Sequence, residues 1–509
     1  MMDLCKELFE KLNSSNVRYC HFKSNNNLMM SLEGKEDLDI IVSGEDYSCF
    51  EDIITCYGFV ECERNIFCSY PGVTNWYGYD KKNGSIIHIH LHTKLITGKG
   101  LVKDYILPWE SQIINNAVIN ELGIKVNNPN IELILLFTRL VVKRKITDRI
   151  KSTKREAFIP DDEWEEVLYL RKRICEPDFK NYYCELIDEQ TYSIFKNMMT
   201  CDKNIDKREF CNFERHIKTK LKRNRRFNPV VAEVLSVLYR VKRKINVICN
   251  EIVDLAFPVK NRICGQGGIF ALVGIDGSGK STISKEIIGW LDTYFDVKRY
   301  YFGAGDGNCD LLINVLIKGY QYLVRKKVVQ EQDRGSSERV NVENGEGLGY
   351  VKACLASIAY VKLSYNNYRS MRKAKRFCNK GGIVICDRFP QSMKEVLHDG
   401  PLIDRYRRAY PKSFLIRKLA LKEKRLFEKM DNIDSNIYVI RLNVDPIICY
   451  QRKKENEGSE MDRIIKAEQL GDIKYINATE TVEVDGNDEL RNVVLNVKTI
   501  IWDRVSNCD

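Results

Sequence analysis

The run Gly274-Ile-Asp276-Gly277-Ser278-Gly279-Lys280-Ser281-Thr282 has the residue types and the spacing of a phosphate cradle. Glycines let successive main-chain N–H groups curl round a phosphate without Cβ clashes. In this pattern the lysine reaches the β- and γ-phosphates of a nucleoside triphosphate such as ATP, and Ser281 ligates Mg²⁺. The apolar run Ile269 to Val273 stands directly before the loop, and a helical pattern, ISKEIIGWL, follows it. That context puts the cradle at a helix N-terminus, whose partial positive charge strengthens the pull on an anion.

Other residues could join this chemistry. Asp387 and Arg388 end the apolar run of GGIVICDRF. An acid at the carboxyl end of a strand beside the cradle is placed to associate with Mg²⁺, and the adjacent guanidinium can grip a second phosphate bidentately; a surface ion pair is the other reading. Beyond a third strand-like run, IYVIRLNVD, come Arg452, Lys453 and Lys454. These could close over a transferred phosphoryl group or form a solvated helix face. Far upstream, Asp37 and Asp39 alternate, so both share one face of a strand. They could hold a divalent cation against a nucleotide, or simply mark a solvated strand edge. His88, His90 and His92 alternate in the same way, at a spacing that suits either a shared transition metal or hydrogen-bonded packing.

The elements that must position these residues fall into an α/β pattern. At roughly 100–200 residues per domain, 509 residues have room for two to four units, and 44% apolar with 30% charged residues exclude a disordered or fibrous chain. Residues 1–130 mix strand-like runs with helical ones, as a small α/β domain does; residues 131–260 read as a helical connector. From residue 265 to 509 strands and helices alternate as in a parallel sheet, with a polar interruption at 325–347 expected to be a loop or insertion. The longest apolar stretches, such as Pro229 to Tyr239, carry Glu233 and Ser236 and fall short of the roughly 20 residues that cross a bilayer. The opening MMDLCKELFEKL lacks the basic flank and apolar block of a secretory signal, so a cytoplasmic location is expected. The 18 cysteines form no CxxC pair and are expected to be reduced, buried thiols.

Of the net charge of +11, ten units fall between Arg215 and Lys244. Beside them Val230, Val234, Leu238, Val241, Ile245 and Ile248 recur at helical spacing. The stripe could pack between the domains, or it could let the segment rest on an anionic membrane. No aromatic-interleaved RNA module accompanies the basic segment, which argues against nucleic acid as a partner.

The P-loop with its internal Asp276 and the CDRF run resemble thymidylate kinases, over about the last 245 residues. The resemblance implies a P-loop kinase fold and transfer of the ATP γ-phosphoryl to a nucleoside monophosphate such as dTMP. Asp276 would then contact the acceptor's sugar, Arg388 its phosphate, and Arg452 would belong to a lid. Val273 replaces the acid that usually precedes the first P-loop glycine, and Tyr301 to Gly305 replaces an expected Arg-Glu-Pro signature. Both changes fall on the acceptor side. The stretch DRFPQ followed by Asp399-Gly-Pro401 resembles a subgroup associated with surface-polysaccharide loci. A sugar- or polyol-phosphate acceptor therefore stays open, as do a nucleotide-binding scaffold without turnover and a homodimer.

The segment YCHFKSNNNLMMSLEGKEDLDIIV resembles nucleotidyltransferase-fold proteins, in which a D-x-D strand carries the metal. The third carboxylate of such proteins would fall on the strand that here reads IIHIHLH, where His90 stands in its place; His21 and Lys23 could face the same cleft.

Overall fold

The computed structural model describes residues 1–506 except 64–68, 145–155, 200–203, 254–258, 304–345, 394–398, 453–463, 465–467 and 469. The polar interruption expected at 325–347 lies almost wholly outside the described residues, as do Lys453 and Lys454. The chain is mixed α/β and divides into two units, Met1–Cys264 and Gly265–Asp509.

The first unit is built on an eight-stranded sheet. Its strands in chain order are β1 (Tyr19–His21), β2 (Leu38–Val42), β3 (Val60–Glu63), β4 (Val73–Asp80), β5 (Ser85–His92), β6 (Val118–Ile119), β7 (Lys125–Val126) and β8 (Arg262–Ile263). They lie in the order β8-β3-β4-β5-β2-β1-β7-β6. Strands β2 and β5 run parallel, with Asp39 opposite His90. Alternation assigns the faces. Leu38, Ile40 and Val42 of β2 and Ile87, Ile89 and Leu91 of β5 bury against Leu8, Leu12, Phe50 and Ile54, which come from helices Asp3–Ser14 and Tyr47–Cys56. Asp39 and the three histidines of β5 therefore take the opposite face.

That opposite face is covered by helices. Pro129–Lys143 begins with Asn128 accepting from the Asn130 N–H and with proline in the first turn, a favoured start because proline has no N–H to leave unbonded. Its residues Leu133, Leu136 and Phe137 share one apolar cluster with Cys20 and Ile41 of the sheet and with Phe179, Tyr183, Phe195 and Phe213 of the helices that follow. The helices of the segment read as a connector thus build a common core with the sheet. Helix Pro229–Val253 behaves differently: Val230, Val234, Leu238, Val241 and Ile245 are all exposed, while Ala232, Ser236 and Asn246 are buried. No helix among the described residues is long and apolar enough to cross a membrane.

The second unit holds five parallel strands: β9 (Ile269–Val273), β10 (Val297–Tyr301), β11 (Ile383–Asp387), β12 (Ile437–Asn443) and β13 (Glu480–Asp485). Their order is β10-β11-β9-β12-β13. Strands β9 and β11 are buried along their whole length, which is why they read as unbroken apolar runs. Their carboxyl ends lie side by side, with Leu272 opposite Asp387. The expected buried thiols include Cys5, Cys20, Cys62, Cys378, Cys386 and Cys449, whereas Cys49, Cys56 and Cys175 are exposed; none of the described cysteines forms a disulfide.

One buried acid makes the first unit sensitive to pH. Glu132, on helix Pro129–Lys143, accepts from the Asn25 N–H at 3.1 Å and the Asn25 side-chain amide at 2.8 Å. Burial, reinforced by the nearby Glu166 carboxylate, pushes its carboxyl up to about 8. A proton is held more tightly in the folded than in the unfolded state, so this group's contribution is complete below the unfolded value and is lost as pH rises through 8. Thermal or urea unfolding should show stability falling between pH 5 and 8, by at most about 1.4 kcal/mol per pH unit from this residue. Glu132→Gln should flatten that slope, and an unchanged slope would remove Glu132 as its source.

Candidate functional site

The loop leaving β9 folds tightly over the start of helix Lys280–Asp292. Gly277 has φ of +95°, and a Cβ there would stand 2.4 Å from the Cys449 carbonyl oxygen, so backbone conformation and space both demand glycine. Gly279 has φ of +88° and forms the N-cap of the helix. The Lys280 ammonium curls back into the loop and donates to the carbonyl oxygens of Gly274 and Ile275, both at 2.7 Å. Burial first, and then the Arg388 guanidinium, push it down to about 8. This lysine has exchanged its water shell for main-chain oxygens.

Two of the residues singled out as Mg²⁺ candidates, Ser281 and Asp387, lie together. The Ser281 hydroxyl donates to Asp387 Oδ2 at 3.0 Å, and Asp387 is buried at the carboxyl end of β11. A hydroxyl and a carboxylate at a helix N-terminus are hard oxygen donors, a set that suits Mg²⁺ beside phosphates. Thr282 continues the helix, its N–H donating to the Gly279 carbonyl. Ser278 is buried, its N–H donating to the Ile275 carbonyl.

Arg388 is held between two acids, to Asp276 at 2.8 Å and to Asp399 at 3.4 Å. Its backbone has φ of +68°, a left-handed conformation that costs a non-glycine residue about 1–2 kcal/mol. From this backbone its side chain reaches Asp276 of the phosphate loop. Asp399 is buried, and burial, opposed by Arg388, pushes its carboxyl up to about 7. Asp399 and Arg299, whose guanidinium lies 3.4 Å from Asp387, extend the site beyond the residues singled out by spacing. Arg299, on the neighbouring strand β10, has no motif signal, whereas Asp399 belongs to the stretch after DRFPQ that carries a resemblance, without any sign there that it pairs with Arg388. Arg452 ends helix Pro446–Arg452 and is exposed; the same helix supplies the Cys449 carbonyl that closes on Gly277.

In the first unit the two alternating acids part company. Asp37 bonds His88 Nδ1 at 2.6 Å, and the other ring nitrogen of His88 lies 3.1 Å from the Asn75 side chain. Asp39 instead pairs with the Lys23 ammonium at 2.7 Å, with His90 Nδ1 at 3.3 Å and with His92 Nε2 at 4.0 Å. Burial works to raise Asp39, but Lys23, His90 and His92 together hold it well below the usual carboxylate range. Burial also lowers both imidazoles, His92 strongly, which keeps them neutral. Among the described residues, Asp39, His90 and His92 are the group of three whose ligand atoms lie within 4.8 Å of one another.

No family model matches the chain. Over 220 residues, 43% of this chain and 80% of the relative, it is 27% identical to the uncharacterized ATP-binding protein YghR of Escherichia coli strain K12. Over 223 residues it is 23% identical to the uncharacterized ATP-binding protein YghS of the same strain, covering 85% of that protein and 43% of this one. A solved structure of deoxyadenosine kinase from M. mycoides with bound dATP aligns over 46% of this chain and 98% of its own, with 16% identity and a TM-score of 0.25. The same kinase with products bound gives 14% identity and a TM-score of 0.27, again over 46% of this chain and 98% of its own.

The close approach at Gly277 predicts that Gly277→Ala destabilises the second unit by about 1–3 kcal/mol, the scale of local backbone strain. Chemical denaturation monitored by circular dichroism should show the loss. A variant as stable as the parent protein would mean that the loop and the Cys449 carbonyl separate freely.

Proposed function

We propose that the second unit is an ATP- and Mg²⁺-dependent phosphotransferase that moves the γ-phosphoryl of ATP to a small phosphorylated acceptor, in the manner of a nucleoside monophosphate kinase. The observation that carries the reading is the cradle itself: a buried Lys280 ammonium beside a Ser281–Asp387 pair, all at one helix N-terminus. The names of the Escherichia coli relatives, which call them ATP-binding, support the nucleotide.

In this mechanism the main-chain N–H groups of the loop take the β-phosphate, and Lys280 swings from the Gly274 and Ile275 carbonyls to the β- and γ-oxygens. Mg²⁺, when bound by Ser281 and Asp387, would offset charge on the same oxygens. Positioning and charge neutralisation then account for most of the rate, because phosphoryl transfer asks little covalent chemistry of the protein. Arg388 is the acceptor-side group. It faces two carboxylates, so an acceptor phosphate gains its guanidinium by displacing Asp276 or Asp399. The raised carboxyl of Asp399 eases that exchange, since protonation near neutral pH weakens its hold on Arg388.

The acceptor is dTMP in the finer form of this reading, and a sugar- or polyol-phosphate in its rival. Purified protein supplied with ATP and Mg²⁺ should form ADP with one class of a panel of nucleoside monophosphates and sugar phosphates. Lys280→Ala should lower that turnover at least 100-fold while leaving the circular dichroism spectrum unchanged. Turnover at the parent rate in the folded variant would remove the loop from the mechanism, and ATP binding without turnover on any acceptor would favour a nucleotide-binding scaffold.

We also propose that helix Pro229–Val253 rests on an anionic membrane. At 100° per residue its exposed arc of Val230, Val234, Leu238, Val241 and Ile245 lies between Lys242 and Lys244. An apolar arc bordered by lysines suits the boundary between acyl chains and headgroups, and each lysine near an anionic leaflet contributes about 1 kcal/mol. The protein should co-sediment with anionic vesicles at low salt, but not with neutral vesicles or at high salt. Protein left in the supernatant with anionic vesicles at low salt ends this proposal.

A further inference from the structure

We propose that the first unit carries a second ligand site, independent of the P-loop, in which Asp39, His90 and His92 hold a first-row transition-metal ion and a group of cations beside them holds a phosphate. The ligand atoms converge: His90 Nδ1 stands 3.3 Å and His92 Nε2 4.0 Å from Asp39 Oδ1. Ligands about 2.0–2.2 Å from a tetrahedral ion stand roughly 3.3–3.6 Å from one another, so a small turn of the His92 ring completes the set.

The second observation is that one of these atoms, His92 Nε2, is a buried orphan. Asp39 is 8% and His92 5% exposed; Asp39 Oδ1 is held by the Lys23 ammonium and His90, whereas His92 Nε2, aimed at the same oxygen, has no hydrogen-bond partner. Buried polar atoms are normally satisfied, and an unpartnered imidazole nitrogen aimed at a buried carboxylate is what a bound ion relieves. The neighbouring His88 does not share this state, because its two nitrogens face Asp37 and Asn75. Two imidazoles and one carboxylate select zinc, cobalt, nickel or copper over Mg²⁺, which takes oxygen ligands.

The third observation supplies the phosphate. His90 and His92 line a cavity of about 120 Å³ together with Lys23, Lys103, Arg139 and Lys143. Arg139 Nη1 is a further buried orphan. Residues 135, 139 and 143 follow one another at one helical face of Pro129–Lys143, so that helix presents Leu135, Arg139 and Lys143 to the cavity. Four cations around so small a space call for a compact, multiply charged anion. The cavity has room for a group the size of a phosphate. Lys23 now neutralises Asp39; with metal on the carboxylate, its flexible four-carbon stem can carry the ammonium to the phosphate.

Cobalt(II) and inorganic phosphate are the probes, used on the full chain carrying Lys280→Ala so that the P-loop does not contribute. One equivalent of cobalt should bind, with d–d bands of a nitrogen and oxygen site and without the charge-transfer band of cysteine ligation. Asp39→Asn or His92→Gln should weaken binding at least 10-fold. Phosphate should then bind at least 10-fold tighter to the cobalt-loaded protein, a gain lost in Arg139→Gln. Should those variants fail to fold, pulsed EPR on the copper-loaded protein decides, since it must report nitrogen couplings from two imidazoles. Absence of cobalt binding, a thiolate spectrum, fewer than two imidazoles, or phosphate binding indifferent to metal would overturn the proposal.

Discussion

Burying an ammonium costs several kcal/mol unless other oxygens replace its water shell, and in the second unit the Lys280 ammonium finds them on the carbonyls of Gly274 and Ile275. Much of the surrounding structure answers to that requirement. The loop must curl tightly enough to aim two carbonyls inward, which places Gly277 against the Cys449 carbonyl and fixes the approach of helix Pro446–Arg452. Strand β9 must stop at Val273 with buried parallel neighbours on both sides, or the loop would have no rigid base. The site is thus assembled from backbone first, with side chains added at the ends of β9 and β11.

The same logic explains which residues could be read in advance. The glycines and lysine of 274–282 encode backbone geometry in their spacing, and Asp387 is announced by the apolar strand it ends. The partners of Arg388 and Asp387 are different. Asp399 reaches Arg388 from a loop, and Arg299 reaches Asp387 from an adjacent strand, so both contacts exist only once the sheet order is known. In the first unit the alternation of Asp37 and Asp39 shows that they share a face but not that they bind separate partners. What divides them is the parallel register with β5, which sets Asp39 opposite His90 and leaves Asp37 within reach of His88.

The two units handle charge in contrasting ways. Around the P-loop, buried cations and acids are matched: Lys280 by carbonyls, Arg388 by two carboxylates, Asp387 by a hydroxyl and a guanidinium. In the cavity of the first unit, Arg139 heads the influences, followed by burial, that push the Lys143 ammonium down to about 7, and Lys103 and Lys23 add to the repulsion. Such crowding weakens the fold locally and is sustained by the large apolar cluster under helix Pro129–Lys143.

The strand order of the second unit also governs when it can fold. Central strand β9 is the first of its sheet to leave the ribosome, yet its neighbours are β11 and β12, and β10 pairs only with β11. Until residues beyond Ile383 have emerged, β9 is an unpaired apolar segment, exposed to wrong associations. In the first unit, β4 and β5 are joined by a short turn and pair along their full lengths, from Val73–His92 to Asp80–Ser85. A local hairpin of that kind closes in microseconds, whereas non-local parallel pairing is slow. Synthesis on the ribosome therefore favours a sequence in which the first unit is already structured while the second waits for its middle.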